Sequence, residues 1–178
     1  MSATGKSFEL GGVVVPLTAA LGLQQSIGMV AGGQATLRTM NGGVVRQTQW
    51  RKLSVSLSGD GWSPPGLSAL DYNNAAGLTL KCGLPRAMRS NSASIALPTA
   101  RRTDSGYEPF ARAHKADGTE VETSISIASH TATLGAVSGA VSYAVWYFPQ
   151  LTVIATPPEE SFDAGGATAS WQLNAEEV

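Results

Sequence analysis

A hairpin signal in the first third of the chain constrains the fold more than any other feature of the sequence. Two runs of β-type residues, 34–40 and 44–50, flank the tripeptide Asn41-Gly42-Gly43. Asn-Gly favours a type I′ turn, because both central positions of that turn need a positive φ. We therefore predict a β-hairpin over residues 34–50, with Trp50 near the base of its second strand.

The segment that follows the hairpin alternates strictly between apolar residues and serine. Residues 52–58 read Lys-Leu-Ser-Val-Ser-Leu-Ser. Successive side chains of a strand point to opposite faces, so this pattern predicts a half-buried strand. Its leucines and valine should be buried, while its serines face water, a lumen or a neighbouring subunit.

The rest of the chain is also strand-like. Short β-type runs, among them one strand over residues 8–15, recur between turns rich in Gly, Pro and Asn. Roughly ten short strands predict a mainly β fold, either a sandwich or a barrel. One short helix is predicted over about 64–72, because Ser63 followed by Pro64 is typical of an N-cap and a first helical position.

Composition favours one cytoplasmic β domain over residues 1–178. The lone Cys82 cannot form an intrachain disulfide, and residues 1–12 contain no apolar core typical of a signal peptide. The longest apolar stretch, 140–148, is too short to cross a bilayer, so no membrane partner is expected.

Charged residues make up 14% of the chain, against roughly 25% in an average soluble protein. Such a low-charge surface favours association between subunits.

The charges are distributed unevenly along the chain. Residues 1–115 contain all 12 Lys and Arg and five acidic residues, a balance of +7, whereas residues 116–178 contain eight acidic residues and no basic one, a balance of −8. The two segments either neutralise each other within one fold or form complementary surfaces on neighbouring subunits. Head-to-tail contacts of the second kind generate rings or filaments, and complementary charge sets their orientation.

Residues that could carry catalysis are few. His114 and His130 are the only histidines, and one cysteine excludes a zinc site of the CxxC…CxxC type. A Ser–His114–Asp104 triad has no supporting motif, and a solvated or hydrogen-bonded histidine is the simpler interpretation of His114. The adjacent acids at 159–160 and 176–177 point to opposite faces of a strand. We expect no catalytic residue, no metal and no cofactor.

Two parts of the chain carry a resemblance. Residues 37–50 read Leu-Arg-Thr-Met-Asn-Gly-Gly-Val-Val-Arg-Gln-Thr-Gln-Trp, and residues 58–71 read Ser-Gly-Asp-Gly-Trp-Ser-Pro-Pro-Gly-Leu-Ser-Ala-Leu-Asp. Tyr-Phe-Pro-Gln-Leu-Thr-Val-Ile at 147–154 is followed by Glu-Ser-Phe-Asp at 160–163 and by Trp-Gln-Leu-Asn-Ala-Glu-Glu at 171–177. These stretches, which span about 65 of 178 residues, resemble small tail proteins of long-tailed bacteriophages.

The resemblance implies a non-enzymatic subunit with a tail-tube-type β-barrel or sandwich. Such a subunit would form a ring, usually a hexamer, around a lumen through which DNA passes without specific binding. The distal tail protein, which joins the tube to the tip, is favoured, and the major tail-tube protein is the alternative. A carbohydrate- or receptor-binding β-module is a more distant alternative. Residues 90–139 match nothing in the resemblance and leave room for an appended subdomain or long loop.

In this interpretation the partners are other copies of the chain and the tail proteins above and below it. The protein would be assembled in the host cytoplasm and located in the tail of the virion. The structural or assembly candidates are Asn41, Gly42, Trp50, Arg51, Trp62, Pro64, Pro65 and Trp171. Acidic residues lining a lumen would repel DNA, and the candidates for that position are Asp117, Glu120 and Glu122.

Overall fold

A computed structural model describes residues 7–178 and confirms a mainly β fold. The strands are β1 Glu9–Leu10, β2 Val13–Val14, β3 Gln24–Met29, β4 Gln34–Arg38, β5 Val44–Thr48, β6 Leu53–Gly61, β7 Leu78–Lys81, β8 Arg86–Ser90, β9 Ser94–Ala96, β10 Phe110–Lys115, β11 Glu120–Thr123, β12 Ile125–Ala128, β13 Thr131–Leu134, β14 Ala140–Tyr147, β15 Gln150–Ala155, β16 Glu159–Asp163 and β17 Thr168–Glu177. One 3-10 turn, Leu17–Ala19, is present.

None of the described sheets closes into a barrel, so the sandwich alternative fits better. No helix in the described range is long and apolar enough to cross a membrane.

The chain divides into two compact units. Unit 1 comprises Met1–Leu80 and Thr152–Val178, and unit 2 comprises Lys81–Leu151. The segment at about 90–139, which the sequence left open as an appended subdomain, lies within unit 2. Whether residues 1–178 fold as one domain stays a prediction.

An eight-stranded sheet dominates unit 1. Its order is β2-β1-β7-β15-β17-β6-β3, and β16 pairs with β17 outside that path. The alternation predicted for residues 52–58 is confirmed at its centre, where Val55 and Leu57 are buried and the serines beside them are partly exposed. Val55 lies opposite Ile27 of β3 and Ala175 of β17, and all three are on the core side of the sheet.

Unit 2 is a small two-sheet structure. A four-stranded sheet, β11-β10-β14-β8, and a three-stranded sheet, β12-β13-β9, contribute the residues of one apolar cluster. Ala113 and Val145 supply that cluster from the first sheet, and Ala132 and Leu134 supply it from the second. The opposite face of the four-stranded sheet carries the stacked rings of Phe110 and Trp146, whose centroids are 5.3 Å apart.

The helix predicted over about 64–72 is wrong. The segment is irregular, with turns at its end and no helical run. Gly66 has a φ of +73°, a left-handed value that stops a right-handed helix directly after the two prolines. Tyr72 donates a hydrogen bond to the carbonyl of Leu67, and this contact folds the segment into a compact loop.

Two smaller predictions also need correction. The single strand expected over residues 8–15 is a tight hairpin, since β1 and β2 are joined by Gly11 and Gly12, both with positive φ. The hairpin over 34–50 is confirmed, but its turn is not type I′. Arg38 pairs with Val44, so the loop has five residues, and of the Asn41-Gly42 pair only Gly42 has a positive φ.

Gly59 packs closely against the buried Trp171 in the core of unit 1. The Trp171 indole donates a 2.6 Å hydrogen bond to the Ala19 carbonyl and packs 5.3 Å from the ring of Phe8. A Cβ at position 59 would lie 2.6 Å from that indole. We expect Gly59→Ala to lower the free energy of unfolding by about 1–3 kcal/mol, the usual cost of overpacking.

Thermal melting followed by near-ultraviolet circular dichroism checks this, because a displaced indole alters the tryptophan signal. Gly165→Ala serves as a control for the loss of a glycine, since Gly165 has no positive φ and a Cβ there would meet only the Asp163 side chain, at an ordinary distance of 3.4 Å. An unchanged melting temperature for Gly59→Ala would show that the indole is free to move.

Candidate assembly surfaces

Strands β4 and β5 form a two-stranded sheet of their own, which we call the arm (residues 34–48). The arm joins the main sheet where β3 ends and β6 begins, at the paired residues Met29 and Leu53. Apart from the partly exposed Gln34, every residue from 35 to 48 is exposed. The arm therefore packs against little of its own chain. An isolated two-stranded hairpin is marginally stable in water, so packing against a partner would stabilise the arm.

The two faces of the arm differ in chemistry. On one face, Leu37 lies opposite Val45. On the other face, Arg38 lies opposite Val44 and Thr36 lies opposite Arg46. Leu37 and Val45 are 51% and 45% exposed, although apolar cross-strand pairs normally pack against a neighbouring layer. Exposed apolar groups rimmed by polar residues mark interaction surfaces.

The loop at the end of the arm places another apolar side chain in water. Met40 is fully exposed. The Thr39 amide donates to the Gly43 carbonyl and the Gly42 amide donates to the Thr39 carbonyl, and these two bonds hold the loop closed. Methionine adapts its shape to irregular pockets because it is unbranched and polarizable. The tip of the arm thus carries a side chain suited to insertion.

Trp50 lies at the foot of the arm, as the sequence predicted. Its ring covers Gly33, where a Cβ would lie 2.6 Å from the ring and 2.4 Å from the Trp50 carbonyl. The Gln49 amide donates to the Gly33 carbonyl across the same point. Trp50 is 40% exposed, so it clamps the foot of the arm and keeps one side of its ring available to a partner.

A second surface is the outward side of strands β3, β6, β16 and β17, which we call the polar face. Its residues are small or amide-bearing apart from four carboxylates, and no Lys or Arg lies on these rows. The carboxylates are Asp60, Glu159, Asp163 and Glu176. A groove of about 520 Å³ on this face runs between Gln24, Ser58 and Gln172. Such a surface offers negative charge and small hydrogen-bonding groups, and it repels a polyanion.

A third feature is an apolar pocket of about 280 Å³ beside β16, which we call the β16 pocket. Its apolar lining comes from Pro64, Pro65, Phe162 and Ala169, and its polar lining comes from Glu160, Ser161 and Ser170. Phe162 is 62% exposed, which is unusual for a phenylalanine within a sheet. Burial raises the pKa of the neighbouring Tyr72, and the charge of Glu160 raises it further.

The predicted structural and assembly residues divide between core and surface. Trp171 and Pro65 are buried in unit 1, whereas Trp62, two residues before Pro64 in the chain, is 70% exposed. Asn41 and Gly42 are exposed in the arm loop, and Arg51 is exposed at its foot, whereas Pro64 lines the β16 pocket. These placements leave their roles in assembly as predictions.

The predicted lumen residues all lie in unit 2. Asp117 accepts hydrogen bonds from the amide and hydroxyl of Thr119, which hold its pKa below the ordinary value. Glu120 forms an ion pair of 3.1 Å with Arg112, and its other carboxylate oxygen lies 3.1 Å from Nδ1 of His114. Glu122 is exposed. The pair Arg112–Glu120 also joins the basic and acidic segments within one chain, so part of the charge asymmetry is neutralised internally.

Arg102 and Cys82 belong to a buried structural centre in unit 2. Arg102, 4% exposed, donates to Asp104 and to the Cys82 carbonyl and lies 3.2 Å from the centre of the Tyr107 ring. Its hydrogen bonds lower the pKa of Asp104. Burial raises the pKa of Cys82 to about 12, so the thiol is protonated at neutral pH and has the character of a core residue.

Within residues 7–178, no group of three or more His, Cys, Asp or Glu side chains is placed to hold a metal ion. Sequence reasoning missed the apolar side of the arm and the β16 pocket. Leu37 and Val45 could have been suspected, because they alternate with arginines in a short hairpin. The pocket had no comparable signal, since Pro64 and Phe162 are far apart in sequence.

Comparison with known proteins gives no relative for this chain. No protein-family model, no curated protein and no solved structure matches it.

Proposed function

We propose that this chain is a structural, non-enzymatic subunit of a phage tail that forms a ring, hexameric in the favoured form, around the DNA channel. The distal tail protein is the favoured role. The arm carries the proposal, because its apolar pair Leu37–Val45 and its tip Met40 are exposed in the single chain. A neighbouring copy that covers the arm would supply the packing layer that this hairpin lacks.

The polar face supports the position around DNA. Its four carboxylates and its lack of basic residues on β3, β6, β16 and β17 would prevent phosphate groups from binding during passage. The alternative lumen residues are Asp117, Glu120 and Glu122. Glu120 already forms an ion pair with Arg112 and contacts His114, so we favour the polar face as the lumen wall.

The purified protein should form closed rings. Light scattering after size exclusion gives the number of subunits, and class averages from negative-stain micrographs give the symmetry. A closed ring with a central hole is the expected result. A protein that stays monomeric at every concentration measured, including the highest one at which it is soluble, would contradict the proposal.

Labelling of the protein in intact particles separates the two tail roles. A label confined to the junction between tube and tip identifies the distal tail protein. A label repeated along the tube identifies the major tail-tube protein, the alternative within the same fold. A label absent from the tail would contradict both roles and favour a receptor-binding module.

A further inference from the structure

We infer that the arm of one copy docks in the β16 pocket of a second copy, with Met40 in the pocket and Arg38 against Glu160. This inference rests on the proposed ring function and names the contact that builds the ring. The partner is a second copy of this chain. Four observations carry the inference. The arm and the pocket lie at opposite ends of the main sheet, Met40 matches the apolar lining of the pocket, the arm and the body of unit 1 carry opposite charge, and both surfaces are exposed.

The arm and the β16 pocket lie at opposite ends of the same sheet. The arm joins β6 at Leu53, whereas Phe162 of the pocket pairs through Ala169 with Gly61 at the other end of β6. Eight residue steps along a strand correspond to about 26 Å. The exposed arm does not lie along its own body, so it does not fill its own pocket. A contact between opposite ends of identical subunits is head-to-tail, the arrangement that generates rings or filaments.

The tip and the pocket are matched in chemistry. Met40 is fully exposed and unbranched. The pocket, about 280 Å³ in volume, offers Pro64 and the ring of Phe162, and sulfur–aromatic contacts are favourable by about 0.3–1.5 kcal/mol. Insertion of Met40 would cover the exposed Phe162 ring and the tip together.

Charge distinguishes the arm from the rest of unit 1. Within the described part of unit 1, every Lys and Arg lies in residues 38–52, in the arm or at its foot. Eight acidic residues are spread over the remainder of the unit. None of the three arginines in residues 38–51 forms an ion pair within the described range. A basic arm and an acidic body attract between copies and set the orientation of docking.

Charge reversal on each side gives a direct test. Arg38→Glu alters the arm, and Glu160→Arg alters the pocket edge; both residues are exposed, so folding and melting temperature should be unchanged. Each variant alone brings like charges together, and we expect roughly tenfold or greater weakening of association. A one-to-one mixture should restore it, because each variant then offers a complementary arm or pocket to the other.

Sedimentation velocity of each variant and of the mixture, with one variant carrying a fluorescent label, measures the recovery. Glu108→Arg, a charge reversal at an exposed residue of unit 2, serves as the matched control and should associate like the parent protein. Mixed rings containing the label are the expected outcome.

The results separate this inference from the proposed function. A parent protein that never associates would contradict the ring function and the docking with it. A parent that forms rings, with both variants also forming rings, would reject the docking contact and leave the ring function standing. Weak association of Arg38→Glu without recovery in the mixture would show that the arm binds another surface, and would overturn the inference.

Discussion

Val55→Asp should abolish soluble, folded protein. Val55 is 1% exposed and lies between Ile27 and Ala175 on the core side of the main sheet. An unpaired carboxylate there costs several kcal/mol or forces the group to take up a proton. The whole stability of a small protein is about 5–15 kcal/mol. The soluble fraction after expression and a circular dichroism melt measure the effect.

Ser56→Asp is the matched control, since it places the same carboxylate one residue along on the opposite face. Ser56 bonds to the Asn174 side chain on the partly exposed side of the sheet. We expect a soluble protein with a melting temperature within a few degrees of the parent value, because surface changes usually alter stability by less than about 0.5 kcal/mol. Equal damage from both variants would contradict the assigned register.

The double variant Leu37→Asp and Val45→Asp should prevent assembly and leave the fold of the single chain intact. Both side chains are about half exposed in the arm and do not belong to the core. Two carboxylates on the face that a partner covers would each be desolvated without a counter-charge. We expect a loss of association of at least roughly a hundredfold, since every 1.4 kcal/mol corresponds to tenfold in affinity.

Analytical ultracentrifugation and a thermal melt of the same samples measure assembly and stability separately. Val141→Asp, which changes an exposed apolar residue of unit 2, is the control and should assemble normally. A lower melting temperature in the arm variant at concentrations where the parent is monomeric would show that the arm packs on its own body. That result would remove the main support for the ring function.

Local patterns in the sequence were enough to locate the strands of the main hairpin and the orientation of β6. Alternation with a period of two is a property of the strand backbone itself, so the burial of Val55 and Leu57 followed from the order of residues. The position of the hairpin at 34–50 followed from turn residues between β-type runs. The turn type did not follow from the sequence. The same turn residues also fit a five-residue loop, in which Gly42 has a positive φ and Asn41 does not.

The helix predicted over 64–72 failed because its signal was confined to its first residues. Ser63 and Pro64 are compatible with a helix start, and equally with an irregular loop. The outcome depended on the left-handed φ of Gly66 and on the hydrogen bond from Tyr72 to Leu67. The φ of Gly66 and the Tyr72 hydrogen bond are properties of the folded loop, so no short-range sequence pattern predicted them.

By itself the sequence determined the β class, the two faces of β6 and the position of the hairpin at 34–50, because each depends on residues close together in the chain. Only the tertiary structure decided that the arm stands apart from the main sheet and that Phe162 lies near Pro64. That proximity requires β17 to pair with both β6 and β16. Pairing between strands about a hundred residues apart is selected by the packing of a common core, and short-range sequence patterns do not encode it.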